Sequence, residues 1–300
     1  MTAHLKSLEN PNDIIKKFDA QGYVLDEELA TILFLMGQLE KPLLLEGNPG
    51  VGKTEVANVL ASSLGTDLIR LQCHEGLDVS SAVYEWNYQK QLLSIKIQEQ
   101  SDLSEKEKEK FIFSKDFLLE RPLLKSILSQ DRSPVLLIDE IDRADEEFEA
   151  YLLELLSVFQ ISIPELGTLK AKHKPLVVLT SNCTRELSDA LKRRCLYHWV
   201  PYPDMEKEIS IVRKHLPDIE TQLVQSVVKV VNELREMQLN KVPGIAETLD
   251  WSRALLALGL KALDQKTAER TLGCLLKSMD DIEMIKGLGL DEILERAKVG

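Results

Sequence analysis

Residues Pro42 to Thr54, PLLLEGNPGVGKT, place a short apolar run directly before a glycine-rich loop that ends in a lysine and a threonine. The series Gly47-x4-Gly52-Lys53-Thr54 has the spacing of a phosphate-binding loop. Glycines let backbone N–H groups turn inward around phosphate oxygens, and a helix starting there adds its N-terminal partial charge. In this reading Lys53 reaches the β and γ phosphates and the Thr54 hydroxyl holds Mg²⁺. The expected cofactors are ATP and Mg²⁺. The expected contacts are Gly47, Asn48, Pro49, Gly50, Val51, Gly52, Lys53, Thr54 and Glu55. With glycine near ~7% of residues, a chance match in a chain this long comes to roughly 1 in 100.

A second group of residues gives the bound phosphates something to react with. SPVLLIDE, Ser133 to Glu140, is an apolar strand ending in two acids. An acid there sits at the ligand crevice of an open α/β sheet. Asp139 holds Mg²⁺ through water in this reading, and Glu140 polarises the attacking water. Asn182 ends another buried run, LVVLTSN. Its amide either orients that water or simply caps the strand. In ALKRRC, Arg193 and Arg194 form either a solvated turn or, in a ring, an arginine finger reaching a neighbour's γ phosphate. Arg253, in DWSRALLALG, either closes over the phosphates or is an ordinary surface arginine.

These residues need a sheet to position them. Strand patterns are expected at Leu43–Glu46, Leu68–Cys73, Ser133–Glu140, Leu176–Asn182 and Cys195–Val200, and helices at Glu27–Leu39, Thr54–Leu64, Phe117–Leu128 and Glu146–Phe159. Such alternation predicts a parallel sheet covered on both faces. Residues 1–25 predict a short helix and a loop. The aromatic, alternating stretch between Ser80 and Gln98 predicts a hairpin. Ser101–Lys110 is a charge run, expected as a solvated loop or helix end. Ile161–Pro175 predicts a second hairpin, turning at Leu166–Gly167. Beyond Pro203 the pattern is helical to the end. The change at Tyr202–Asp204 marks the expected boundary between an α/β domain, 1–202, and a small all-α lid, 203–300.

Bulk composition narrows the partners. The 300 residues carry a net charge of -12. That acidic balance argues against a large interface with a phosphate backbone, so no nucleic-acid partner is expected. No apolar run approaches the ~20 residues of a membrane span, and the first residues lack a secretory pattern. A cytoplasmic protein is the expectation. Cys73, Cys183, Cys195 and Cys274 are scattered, which fits buried free thiols. Cys183, Cys195 and His198 match no common zinc spacing, and His74 beside Cys73 is no better. Tyr84, Trp86 and Tyr88 fit a protein contact or local packing better than stacking on bases.

Taken in chain order, the loop, LLIDE, Asn182, the arginine pair and Arg253 resemble the AAA+ ATPases over nearly the whole chain. Within that group the chain resembles the MoxR family. Its members carry an insert in the helix after the second strand and a hairpin before the sensor strand. QCHEGLDVSSAVYEWNYQKQLLSIKI and ISIPELGTLKAKHKP stand at those places. LQCHEGLDVSSAVYEWNYQKQLL is similar to the CoxD-like subgroup, linked to maturation of molybdenum–copper carbon monoxide dehydrogenase. The resemblance implies that Asn182 is the first sensor, Arg194 the finger and Arg253 the second sensor. The family shows one arginine before an aromatic. This chain has Arg193-Arg194-Cys195, so the choice between the two arginines stays open. Gly22–Tyr23–Val24 lies where the family packs adenine. The resemblance further implies a homo-hexameric ring, a von Willebrand A-domain partner and a client metalloenzyme remodelled during maturation. A nucleic-acid motor and a nucleotide-gated scaffold with little turnover are the alternatives. DNA-stimulated hydrolysis marks the first. The presence of Glu140 disfavours the second, because a binding-only module needs no water-activating acid.

Overall fold

A computed structural model of the chain describes residues 9–98, 104–289 and Ile293. The elements expected within residues 1–8, 99–103, 290–292 and 294–300 lie outside the described residues. In chain order the elements are α1 (Pro11–Ala20), α2 (Glu27–Leu39), β1 (Leu43–Glu46), α3 (Lys53–Leu64), β2 (Leu68–Gln72), α4 (Val79–Ala82), β3 (Tyr84–Trp86), α5 (Tyr88–Gln98) and α6 (Glu105–Ile112). There follow β4 (Leu118–Glu120), α7 (Pro122–Leu128), β5 (Val135–Asp139), α8 (Glu146–Val158), β6 (Gln160–Ile163), β7 (Gly167–Lys170), β8 (Leu176–Ser181), α9 (Asp189–Arg194) and β9 (Leu196–Trp199). The rest is helical: α10 (Met205–His215), α11 (Thr221–Arg235), α12 (Ile245–Ala257), α13 (Gln265–Leu275) and α14 (Met279–Leu288).

The chain divides into two compact units. One comprises Met1–Ile14, Glu27–Glu46 and Thr54–His198, and the other Ile15–Asp26, Gly47–Lys53 and Trp199–Gly300. The first is built on a five-stranded sheet in the order β2-β5-β8-β1-β9. β2 pairs with β5, β5 with β8 and β8 with β1, all parallel. Every residue of β1, β5 and β8 is buried. Side chains alternate between faces along a strand, so burial at every position means that both faces are covered. β2, at the edge, shows alternating burial instead. Parallel pairing also brings the C-terminal ends of β1, β5 and β8 to one edge, as the sequence pattern predicts.

Two expectations for the segment after β2 need correction. Ser80–Gln98 is not a hairpin. Only Tyr84–Trp86 is extended, and it pairs antiparallel with β4 rather than with its own continuation. QKQLLSIKIQ consists largely of good helix formers. The Asn87 side chain accepts the Lys90 amide at 3.0 Å and starts α5, whose Gln91 is buried and donates to the Ile112 carbonyl at 2.7 Å. Trp86 packs edge-on against Tyr84 and Phe113. Nor is Phe117–Leu128 one helix. Leu118–Glu120 is the strand β4, and a helix resumes only at Pro122. A residue before proline is held out of the helical region, and Arg121 has φ −84° and ψ 168°. In the charge run, residues 105–110 belong to α6, which a Ser104–Glu107 capping box starts. The second hairpin forms as expected, with β6 and β7 antiparallel.

The second unit carries its own core. Val212, Leu223, Val227, Trp251, Leu255, Leu272 and Ile285 are all at most 2% exposed and cluster together. α11 shows why: its valines and leucines recur at positions 223, 224, 227, 228, 230, 231 and 234, one face of a helix. Among the described residues, no helix is long and apolar enough to cross a membrane.

Candidate active site

Four sequence-predicted residues meet at the strand ends of the first unit. Asp139 closes β5 and is 2% exposed. Its Oδ1 accepts the hydroxyls of Thr54, at 3.0 Å, and Thr180, at 2.6 Å. Its Oδ2 accepts Nε of Arg70 at 3.0 Å and Nη2 at 2.5 Å. Glu140 follows with φ 55° and ψ 50°, the left-handed region. For a non-glycine residue that conformation costs on the order of 1 kcal/mol and persists only where its surroundings hold it. Here the Glu140 amide donates to the Thr180 hydroxyl at 2.9 Å. The Glu140 carboxylate then accepts the Asn182 side-chain amide at 3.3 Å and that of Gln72 at 3.0 Å, and pairs with Arg143 at 3.1 Å.

Asp142 fixes the far side of this group. It is 3% exposed. It accepts the amides of Asn182 and Thr184, at 3.2 and 2.9 Å, and the Thr184 hydroxyl at 2.7 Å. Burial alone raises its pKa, but the hydrogen bonds from Thr184 and Asn182 outweigh it and the net shift is downward. Asp139, Glu140 and Asp142 also act on Cys73. Burial first, and then these three charges, push its thiol up to about 12. Among the described residues, no group of three or more His, Cys, Asp or Glu side chains is arranged to hold a metal ion by itself, and the Arg70 guanidinium already sits on Asp139 Oδ2.

Arg193 and Arg194 lie in the last turn of α9, and both are exposed. The start of that helix is tied back to α8 and the turn before it. Buried Glu149 accepts the Ser188 amide at 3.0 Å and pairs with Arg185, whose Nε donates to the Ala144 carbonyl at 3.0 Å.

The phosphate loop, Gly47–Lys53, belongs to the second unit. Gly47 has φ +155°, and a Cβ there would stand 2.4 Å from the Val200 carbonyl oxygen, so no side chain fits. The Lys53 ammonium, 6% exposed, folds back on the loop and donates to the carbonyls of Gly47 at 2.6 Å and Asn48 at 2.8 Å. A buried cation enclosed by its own loop suits a polyanionic ligand. A threonine hydroxyl already bonded to an aspartate suits Mg²⁺. Arg253 lies on α12, exposed, and pairs with Asp250 of the same helix at 3.2 Å.

Arg70, Gln72, Thr180, Asp142 and Thr184 escape a reading of the sequence. Asp142 alone leaves a trace: LLIDEID has a third acid two residues beyond the pair. The others become visible only when β2, β5 and β8 lie side by side.

The family match agrees with this geometry. The profile of the AAA domain family, dynein-related subfamily, matches residues 42–195. A gas vesicle ATPase, GvpN, of Haloferax mediterranei is 26% identical over 211 residues, covering 65% of this chain and 57% of that protein. The chain thus spans a little over half the length of that relative. An uncharacterised protein of Staphylococcus epidermidis is 27% identical over 227 residues, covering 74% of this chain and 78% of its own. Among solved structures, one point mutant of Thermotoga maritima RuvB aligns with 92% of this chain and 74% of its own at 19% identity and a TM-score of 0.49.

Proposed function

Because the chain belongs to the AAA domain family, dynein-related subfamily, we propose that it is a Mg²⁺-dependent ATPase whose hydrolysis drives remodelling of a client protein. The observation that carries this reading is the bonded set of Thr54, Asp139, Thr180, Glu140 and Asn182 at one sheet edge. The ATPase name of the gas vesicle relative supports it.

Each residue then has a task. The loop Gly47–Thr54 binds the phosphates, with Lys53 turning from its own carbonyls to phosphate oxygens. Thr54 and Asp139 would hold Mg²⁺, which would supply neutralisation of phosphate charge. Glu140 draws a proton from the attacking water. Asn182, held by Asp142 through its backbone and bonded to Glu140 through its side chain, orients that water. Arg194, or Arg193 beside it, reaches the nucleotide of a neighbouring copy in a homo-hexameric ring, and Arg253 closes over the phosphates. The α/β domain runs to residue 202 and the helical lid from 203. In the finer reading the protein is a cytoplasmic MoxR-type chaperone of the CoxD-like subgroup. Its partner is a von Willebrand A-domain protein, and its client a metalloenzyme similar to molybdenum–copper carbon monoxide dehydrogenase.

A pull-down with Glu140→Gln loaded with ATP tests this, with nucleotide-free wild type as control. The variant should bind ATP, hydrolyse little and retain client and adaptor. Recovery of nucleic acid, or of monomer alone, would sink the remodelling reading. Hydrolysis as fast as wild type would remove the role given to Glu140.

A further inference from the structure

Gly244 and Gly50 touch backbone to backbone. A Cβ on Gly244 would stand 2.8 Å from the Gly50 Cα and 2.9 Å from the Gly50 carbonyl oxygen, and one on Gly50 would stand 3.1 Å from the Gly244 Cα. Gly50 needs glycine for its conformation as well, since its φ is +77°. Gly244 does not. Its φ of −88° and ψ of −174° are extended backbone open to any residue, so close approach alone excludes a side chain there. At the same point the Ile245 amide donates to the Gly50 carbonyl at 2.9 Å. The start of α12 therefore grips the phosphate loop at its middle.

That grip has a support. Arg235, near the end of α11, donates through Nε to the carbonyl of Pro243 at 2.9 Å. Its two Nη atoms hold Glu208 of α10 at 2.6 and 2.8 Å. The Glu208 side chain is 0% exposed and that of Arg235 6%. Thr248 of α12 donates to the same carboxylate at 2.7 Å, and the guanidinium lies 4.6 Å over the Tyr202 ring. The Gly244 amide is tied to Glu247 at 2.9 Å. A buried ion pair is a poor source of net stability, yet it fixes geometry well, and an arginine fork does so in a way that lysine cannot copy.

We infer that Gly244 and Arg235 are positioning residues for the phosphate loop: Arg235 sets Pro243–Gly244, and Gly244 braces Gly50 in the shape that receives a triphosphate. Nucleotide affinity thereby depends on how α10, α11 and α12 pack. A change in that packing, such as a bound client could impose, is felt at Gly50 as a change in the fraction of loops competent to bind. This rests on the reading of the loop as a nucleotide seat.

The test compares the full-length chain with Gly244→Ala, Arg235→Lys and a control, Gly273→Ala. Gly273 lies in α13 with nothing within 4 Å of an added Cβ. Binding of a fluorescent methylanthraniloyl-ATP with Mg²⁺ is titrated. KM and kcat for ATP, and the unfolding midpoint without nucleotide, are measured beside it. Gly244→Ala and Arg235→Lys should each weaken binding and raise KM by about tenfold, with kcat at saturation kept within about twofold, because only the competent fraction falls. The control should match wild type. A purely structural role would lower the unfolding midpoint and leave KM unmoved, and that result overturns the inference. So does loss of kcat at unchanged affinity. If Gly244→Ala does not fold, Arg235→Lys decides by the same criterion. If wild type itself binds no nucleotide, the fault lies with the proposed function.

Discussion

The Thr180 hydroxyl donates to Asp139 Oδ1 at 2.6 Å and at the same time accepts the amide of Glu140 at 2.9 Å. One buried side chain on β8 thus fixes both Asp139, which ends β5, and Glu140, which follows it. It holds the carboxylate of the first and the left-handed backbone of the second.

Thr180→Val keeps the volume and removes both bonds. The buried Asp139 then loses a charge-assisted donor and the Glu140 amide its acceptor. Stability should fall by about 1–3 kcal/mol, read from the denaturant midpoint. ATP hydrolysis should fall more than nucleotide binding. Equal losses in both would mean that Thr180 acts on the fold alone.

Glu140→Gln keeps the shape of the side chain and removes its basicity. Hydrolysis at saturating Mg²⁺–ATP should drop by about 10²–10⁴-fold, the range for a positioned general base. Affinity for the fluorescent nucleotide should stay close to that of wild type.

Arg193→Ala and Arg194→Ala separate two neighbours that both remain exposed at the end of α9. The finger variant should lose about 10³-fold or more in kcat while binding nucleotide normally, and the other should be near wild type. Mixing the finger variant with a Lys53→Ala variant should restore part of the rate, since each supplies what the other lacks. No recovery at any mixing ratio counts against a finger acting between copies.

The thiols offer a pH test. Burial, and then nearby carboxylates, push Cys73 up to about 12, and burial pushes Cys195 to about 12 against the opposing charge of Lys41. The unfolded chain ionises these groups near their ordinary value of 9.0. The folded state therefore binds more protons between the two values, so stability holds below about pH 9 and declines as pH climbs toward about 12. Denaturant midpoints at neutral pH and at about pH 10 should show that decline, and Cys73→Ala should reduce it. In native protein, alkylation should reach exposed Cys183 and spare Cys73 and Cys195.

Much of the fold is legible in the sequence because its signals are local. β1, β5 and β8 are apolar runs that turn polar only at their last one or two residues, and a run buried on both faces announces itself without reference to its partners. The phosphate loop is legible for a similar reason: its glycines, Lys53 and Thr54 are contiguous, so spacing alone carries the chemistry. The insert defeats such reading because β3 is only three residues long and its partner, β4, lies far along the chain. No period survives in so short a segment.

Local pattern is thus enough to say which strands are central, where the loop falls and which acids stand at the end of β5 and just after it. What holds those acids in place follows from folding alone. Arg70 and Gln72 come from β2, Thr180 and Asn182 from β8 and the residue after it, and they reach Asp139 and Glu140 through the parallel pairing of three strands. The need for glycine at 244 arises in the same way, because an added Cβ there would stand 2.8 Å from a backbone atom much earlier in the chain. Hydrogen bonds and close contacts act over a few ångströms whatever the separation along the chain, and a single sequence carries no record of which distant residues will meet.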